Sequence, residues 1–298
     1  MTLTNSDPVG PDFTAVAKLS RIIHSSKTKF QDLVVAESKL FGKILYLDGD
    51  IQLSERDECI YHDMLVHPAL TTHPKPKKVL IMGGGEGFAL RDALKHSCVE
   101  KVVVCDLDDG VVHAAKEYFG IRTFEDPRSE LIVDDARKYV ERTKEKFDVV
   151  ISDLTVLSGP AKMLYTQDFY RMVKEKMTPG GIFVTHCETP YFYPHVTVSI
   201  TRTLASVFKH VRKYRAYVPA YAGEWFFALA SDSDPTISAA EVRKRLDERK
   251  VKGLKYYSPE IHEFSFVIPK YLQDIMDKEK GVISTDAKPL EHEKTTYL

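Results

Sequence analysis

Five short apolar runs set the strongest limit on what this chain can fold into: "KVLIMGGG", "KVVVCDLD", "SELIVDDA", "FDVVISDL" and "GGIFVTHC". None alternates apolar with polar residues, as a strand with one wet face does, and each is followed by a polar or helical stretch. Runs of this kind suit strands covered on both faces, and their spacing predicts a parallel, doubly wound, Rossmann-like sheet in an α/β protein. Upstream the pattern differs. "FQDLVVAESKLFGKILYLDGDIQLSE" interleaves β-branched and large apolar residues with polar ones, broken at Gly42 and at Asp48-Gly49, a two-residue hairpin signal. It predicts a small N-terminal antiparallel sheet. "DECIYHDMLVHPALTTH" then takes helical spacing, with Ile60, Met64 and Leu65 on one face and Pro68 marking the end. The domain boundary is expected near Pro74 to Lys78, separating an N-terminal β-strand domain, 1–73, from a nucleoside-binding catalytic domain, 74–298.

Composition narrows the partners. The chain has 298 residues, 43% of them hydrophobic, enough for two unequal cores. Its 42 Lys and Arg nearly balance 43 Asp and Glu, which favours neither nucleic acid nor an anionic membrane and leaves a small molecule as the expected ligand. Cys59, Cys98, Cys105 and Cys187 form no C-x-x-C pair, and the histidines form no H-x-x-x-H or H-E-x-x-H pattern. No metal site is expected, and the cysteines are expected to be reduced. The polar opening "MTLTNSDPVG" lacks the apolar core of a signal peptide, and no stretch reaches transmembrane length, so the expected location is the cytosol.

The glycine turn after the first run points to the ligand. A dinucleotide fingerprint needs G-x-G-x-x-G, but counting from Gly83 the last position is Phe88. Glu86 in the same turn repels phosphate and attracts a cation, which favours a sulfonium nucleoside over a pyrophosphate. Acids then end the following strands. Asp106 is placed to accept both ribose hydroxyls, the Asp134-Asp135 pair to accept from an adenine amino group, and Asp153 to reach the carboxyl edge where open α/β sheets bind ligands.

With these residues in view, the chain resembles the polyamine aminopropyltransferases, the spermidine synthase family, over nearly its whole length. The resemblance rests on "FQDLVV", "LYLDGDIQLSERDECIYHDMLVHPAL", "GGGEG", "DPRSELIVDDAR" and "GPAKMLYTQDFY". "PAYAGEW", "ALASD" and "LKYYSPEIHEFSFVIPKYL" are most similar to the thermospermine synthase branch. The resemblance implies transfer of an aminopropyl group from decarboxylated S-adenosylmethionine to an amine, with release of methylthioadenosine. It also implies no metal or cofactor and a homo-oligomer, dimer or tetramer. Residue by residue, it implies that Asp106 holds the ribose and Asp135 the adenine amino group. Gln31 and His62 would lie near the sulfonium end, with Gly83, Gly85 and Pro160 framing the donor. Glu86 would receive the aminopropyl ammonium, Asp153 would take the proton from the attacking nitrogen, and Tyr61 and Tyr221 would line the acceptor channel.

One departure bears on the acceptor. The family's D-x-x-D-P-x-G-P loop reads "DLTVLSGP" here, so Val156 and Leu157 stand where an acid and a proline are usual, while Gly159 and Pro160 remain. His186 stands where glutamine is common and is a candidate acceptor contact; Glu188 and Glu224 are candidate replacement charges. A long triamine, spermidine, is therefore the expected acceptor, giving thermospermine or spermine. The alternatives are a spermidine synthase using putrescine, an S-adenosylmethionine methyltransferase and a non-catalytic polyamine-binding homologue. The small N-terminal sheet and Glu86 disfavour the methyltransferase, because a methionine carboxylate sits poorly beside that acid.

Overall fold

In the computed structural model, residues 3–155, 157 and 159–291 are described, Pro160 by its backbone. The chain opens with a hairpin, β1 (Leu3–Gly10) and β2 (Phe13–Leu19), followed by an antiparallel four-stranded sheet of β3 (Arg21–Lys27), β4 (Asp32–Ser38), β5 (Gly42–Leu47) and β6 (Asp50–Ser54). Asp48 and Gly49 join β5 to β6 with φ of 50° and 86°, the doubly positive turn that matches strand twist and that the Asp-Gly pair predicted.

Helix α1 (Glu58–Thr72) leads into alternating elements: β7 (Lys78–Gly83), α2 (Phe88–Leu94), β8 (Lys101–Asp106), α3 (Asp109–Tyr118), β9 (Ser129–Val133), α4 (Ala136–Arg142), β10 (Phe147–Asp153), α5 (Gln167–Glu175), β11 (Met177–His186) and α6 (Pro194–Ala205). An antiparallel pair, β12 (His210–Val218) and β13 (Gly223–Ser231), closes the sheet. Three helices follow, α7 (Ala239–Glu248), α8 (Pro259–Ser265) and α9 (Lys270–Asp277). The seven-stranded order is β12-β13-β11-β10-β7-β8-β9, parallel from β11 to β9 and antiparallel at the β13 end.

Four of the five unalternating runs behave as predicted; the remaining one forms the edge strand β9, which is only half-buried, with Val133 52% exposed. Along β7, Val79 and Ile81 enter one core and Leu80 and Met82 the other; β8 and β10 divide their residues in the same way. Both faces are apolar because helices cover both. The direction switch between β7 and β8 on one side and β10 on the other opens a crevice at the carboxyl edge.

Helix α1 departs from expectation. It does not stop at Pro68 but runs on to Thr72, and its apolar residues lie in the core of the large sheet. Proline at 68 removes the N–H that a regular helix directs to the carbonyl of Met64. That carbonyl accepts instead from the Tyr214 hydroxyl of β12 at 2.8 Å, so the helix continues with that carbonyl satisfied. No helix among the described residues is long and apolar enough to cross a membrane.

Candidate active site

The glycine turn brings two strand ends into contact. Gly83 has φ of 76°, and a Cβ there would stand 2.0 Å from the Asp153 carbonyl oxygen; the Gly84 N–H donates to that oxygen at 3.0 Å. Only glycine tolerates both the backbone and the approach. Gly87, one place before the missing fingerprint glycine, supplies the close packing: it caps α2 with φ of 78°, and a Cβ on it would meet Ile121 at 2.7 Å. The turn presses Glu86 toward Asp153, and the Gly85 N–H donates to Asp106 Oδ2 at 2.8 Å.

Over these strand ends lies a cavity of about 640 Å³, in the range that holds a small ligand. The large sheet contributes Gly83, Gly84, Glu86, Asp106, Asp135, Asp153, His186 and Glu188. The N-terminal strands roof it with Asp7, Asp50 and Gln52 among others, and α1 adds Tyr61 and His62. The Asp106 carboxyl is pushed up to about 6 by burial, against N–H donation from Asp108 and Gly85. Asp135 caps α4, accepting from the Arg137 and Lys138 N–H groups. Gln31 lines the cavity and donates to Asp108 Oδ2 at 2.8 Å.

At the centre, one donor atom each from His62, Glu86 and Asp153 lie within 4.8 Å of one another. Burial, then the neighbouring Glu86 charge, pushes Asp153 well above the ordinary carboxylate range. Burial also acts on Glu86, but the hydrogen bond and charge of His62 outweigh it and hold that carboxyl below its ordinary value. The Tyr61 hydroxyl donates to Asp153 Oδ1 at 3.0 Å. Such a pair, one carboxylate ionised and the other a strong base once ionised, suits proton removal beside a bound cation. A second buried set, Asp63, His67 and Asp92, lies outside the cavity, and Lys95 already reaches it, 2.7 Å from Asp92 Oδ1.

The remaining sequence candidates divide. Tyr221 lines the cavity and donates to the Gln52 carbonyl. His186 stacks on Trp225 with ring centroids 5.6 Å apart, and its Nε2 contacts the Leu154 carbonyl and the Tyr165 hydroxyl at 2.9 Å. Burial lowers its pKa to about 4, so it is neutral. Glu188 is buried against the cavity with a strained φ of 63°. Glu224 must be corrected. It is absent from the described lining residues, and both its oxygens accept from Arg215 Nη1 at 2.7 Å. Gly85 likewise acts through its N–H and not at the cavity wall. Val156 lies outside the described residues, as does the side chain of Pro160. The sequence reading passed over Trp225, the single tryptophan, although it ends the quoted "PAYAGEW"; it also missed Gln52 inside "LDGDIQLSE" and Asp7 of β1.

Known proteins match this chain in sequence and fold. Residues 58–241 match the spermine/spermidine synthase domain and residues 3–55 the spermidine synthase tetramerisation domain. A thermospermine synthase of Arabidopsis thaliana is 39% identical over 275 residues, 90% of this chain and 81% of its own length. A polyamine aminopropyltransferase of Hyperthermus butylicus is 41% identical over 280 residues, 92% of each chain. A crystal structure of spermidine synthase with the transition-state analogue AdoDATO superposes with a TM-score of 0.86 at 33% identity, covering 93% of this chain and 95% of that one. Fold and sequence agree, and the chain belongs to the spermine/spermidine synthase family of polyamine aminopropyltransferases.

Proposed function

We propose that this aminopropyltransferase extends spermidine, giving thermospermine or its isomer spermine and methylthioadenosine. The observation that carries the reading is the distribution of acids along the cavity: beyond Glu86 and Asp153, it is also lined by buried Glu188 and by Asp7 and Asp50 of the N-terminal strands. A triamine carries several ammonium groups separated by apolar methylenes, and spaced carboxylates with aromatic walls from Tyr61, Tyr221 and Trp225 complement that pattern. The acceptor loop points the same way, with Leu157 buried and Val156 in place of an acid.

In this reading Asp106 accepts the ribose hydroxyls and Asp135 the adenine amino group, with Gln31, Gly83 and Pro160 beside the donor. Glu86, held by His62, receives the aminopropyl ammonium. An alkylammonium, with pKa about 10, is no nucleophile near neutral pH, so one acceptor nitrogen must first lose a proton. Asp153 takes it. Two cations entering the pocket favour the ionised form of Asp153, and its buried setting makes that form a strong base. The freed lone pair attacks the carbon on sulfur, the N–C bond forms, the C–S bond breaks, and sulfur leaves with the electron pair as a neutral thioether. Tyr61 orients Asp153, while His186 and Glu188 face the acceptor.

The test is a competition of putrescine and spermidine for the purified protein with decarboxylated S-adenosylmethionine, with products separated and identified by mass. A higher kcat/KM for spermidine is expected. A higher value for putrescine would overturn the triamine reading and leave a spermidine synthase with an altered loop.

A further inference from the structure

Behind the cavity wall, a chain of alternating charges runs from the site toward the surface. His62 Nε2 lies 3.3 Å from Glu86 Oε1, and its Nδ1 lies 2.7 Å from the Glu58 carbonyl oxygen and 3.2 Å from Glu58 Oε2. Glu58 is held from the other side by Arg91, whose Nη1 and Nη2 donate to its two oxygens at 2.8 and 3.0 Å. Arg91 is in turn fixed by Asp92 and by the Phe88 ring, 4.8 Å from its guanidinium carbon. The Glu58 side chain is 4% exposed and is absent from the described lining of the cavity. A buried carboxylate gripped by both a guanidinium and an imidazole is expensive to place and rigid once placed.

We propose that Glu58, clamped by Arg91, is a positioning residue of the transfer reaction, acting through His62 to hold the Glu86 carboxylate toward the ammonium end of the aminopropyl donor. This rests on the reading of Glu86 as the ammonium's partner. The groups facing His62 are Glu58 and the Tyr61 phenol from its own helix, Glu86 from the glycine turn, Asp153 from β10 and the apolar Phe88 from α2. Burial alone disfavours an imidazolium there; contacts with Glu58 and Glu86 more than reverse this and raise its pKa well above the ordinary value. Without Glu58, one of the two supporting carboxylates is gone, the imidazolium loses its proton at lower pH, and Glu86 loses the cation that keeps it ionised beside Asp153.

The experiment measures donor KM, kcat and their pH dependence for wild type, Glu58→Gln, Arg91→Gln and Glu86→Gln, with the His62 titration followed by NMR. Glu58→Gln should raise donor KM by roughly tenfold or more near neutral pH, one pKa unit of lost interaction, with a smaller change in kcat. Acidification should restore it, as His62 regains its proton. Arg91→Gln, at a site 25% exposed, should shift KM in the same direction by less, and decides the matter if Glu58→Gln does not fold. Unchanged donor KM in a folded Glu58→Gln, or a rise that acid does not reverse, overturns the proposal when Glu86→Gln does raise KM. An unchanged KM in Glu86→Gln overturns instead the reading on which it rests.

Discussion

As the proposed base, Asp153 would answer to two opposed demands, since a general base must be free of its proton when substrate is bound yet bind a proton strongly enough to remove one from an amine. Its burial and the nearby Glu86 supply the second condition, and the positive charge of the ligands supplies the first. Asp153→Asn keeps the shape and lets the Tyr61 hydroxyl donate to an amide oxygen, but ends proton acceptance. Turnover should fall by about two to four orders of magnitude while calorimetric affinity for methylthioadenosine stays close to wild type. Turnover within threefold of wild type, on the order of 0.6 kcal/mol, would move the base elsewhere. The place of Asp153 at the cavity was legible because it ends a strand at the carboxyl edge of the sheet. Glu224 was misplaced because a short stretch of sequence does not tell which face of a strand meets the cavity. On β13 successive side chains point to opposite faces, and it is Trp225, not Glu224, that meets the ligand space. The clamp on His62 was illegible for a related reason: Arg91 lies 33 positions from Glu58, and only the packing of α2 against α1 brings them together.

At the scale of elements, the five apolar runs and the strands on either side of Asp48-Gly49 were read well, β1, β2, β3, β12 and β13 were not anticipated, and α1 was read as a helix that ends too early, at Pro68. Unbroken apolar runs can be counted in the chain, and parallel burial gives them a direct cause. A proline inside a buried helix reads as a stop because local rules know only the N–H it removes. The compensating donor, Tyr214, is 150 positions away on β12 and becomes visible only once the sheet is assembled. That contact does more than tolerate a proline, because α1 carries Tyr61 and His62 to the cavity and Glu58 to the clamp behind it. Tyr214→Phe keeps the buried ring against Phe227 but leaves the Met64 carbonyl without its donor. The expected cost is about 1–3 kcal/mol, the desolvation of one orphaned buried acceptor, read as a lower midpoint in chemical denaturation with an unchanged slope. An unaltered midpoint would mean that the carbonyl finds another partner and that the hydroxyl does not sustain the helix past Pro68.

The whole molecule joins the large seven-stranded sheet to an N-terminal region of two small sheets, a hairpin and a four-stranded sheet. β1 lends Asp7, Pro8 and Val9 to the cavity roof, while the same N-terminal region leaves Phe13, Val16 and Ile22 47%, 60% and 50% exposed in the single chain. Exposed β-branched and aromatic side chains on short strands mark a surface that another chain covers, and residues 3–55 match a tetramerisation domain. A homo-oligomer is the expected state, with the exposed patch on β2 and β3 and the cavity roof on the neighbouring β1. The proposed donor side leans on the N-terminal strands only through Gln31, in the turn between β3 and β4; Asp106 and Asp135 stand at β8 and at the start of α4, within the large sheet and its helices. Charges placed on the exposed face, as in a Val16→Glu, Ile22→Glu double variant, should therefore separate the acceptor side of the cavity from the donor side. Light scattering should show a smaller species, KM for the polyamine should rise as β1 loosens over the cavity, and affinity for methylthioadenosine should stay within about threefold, less than 1 kcal/mol. Assembly unchanged in that variant would place the interface on other strands. A parallel loss of nucleoside affinity would show that the N-terminal strands support the donor half of the site as well.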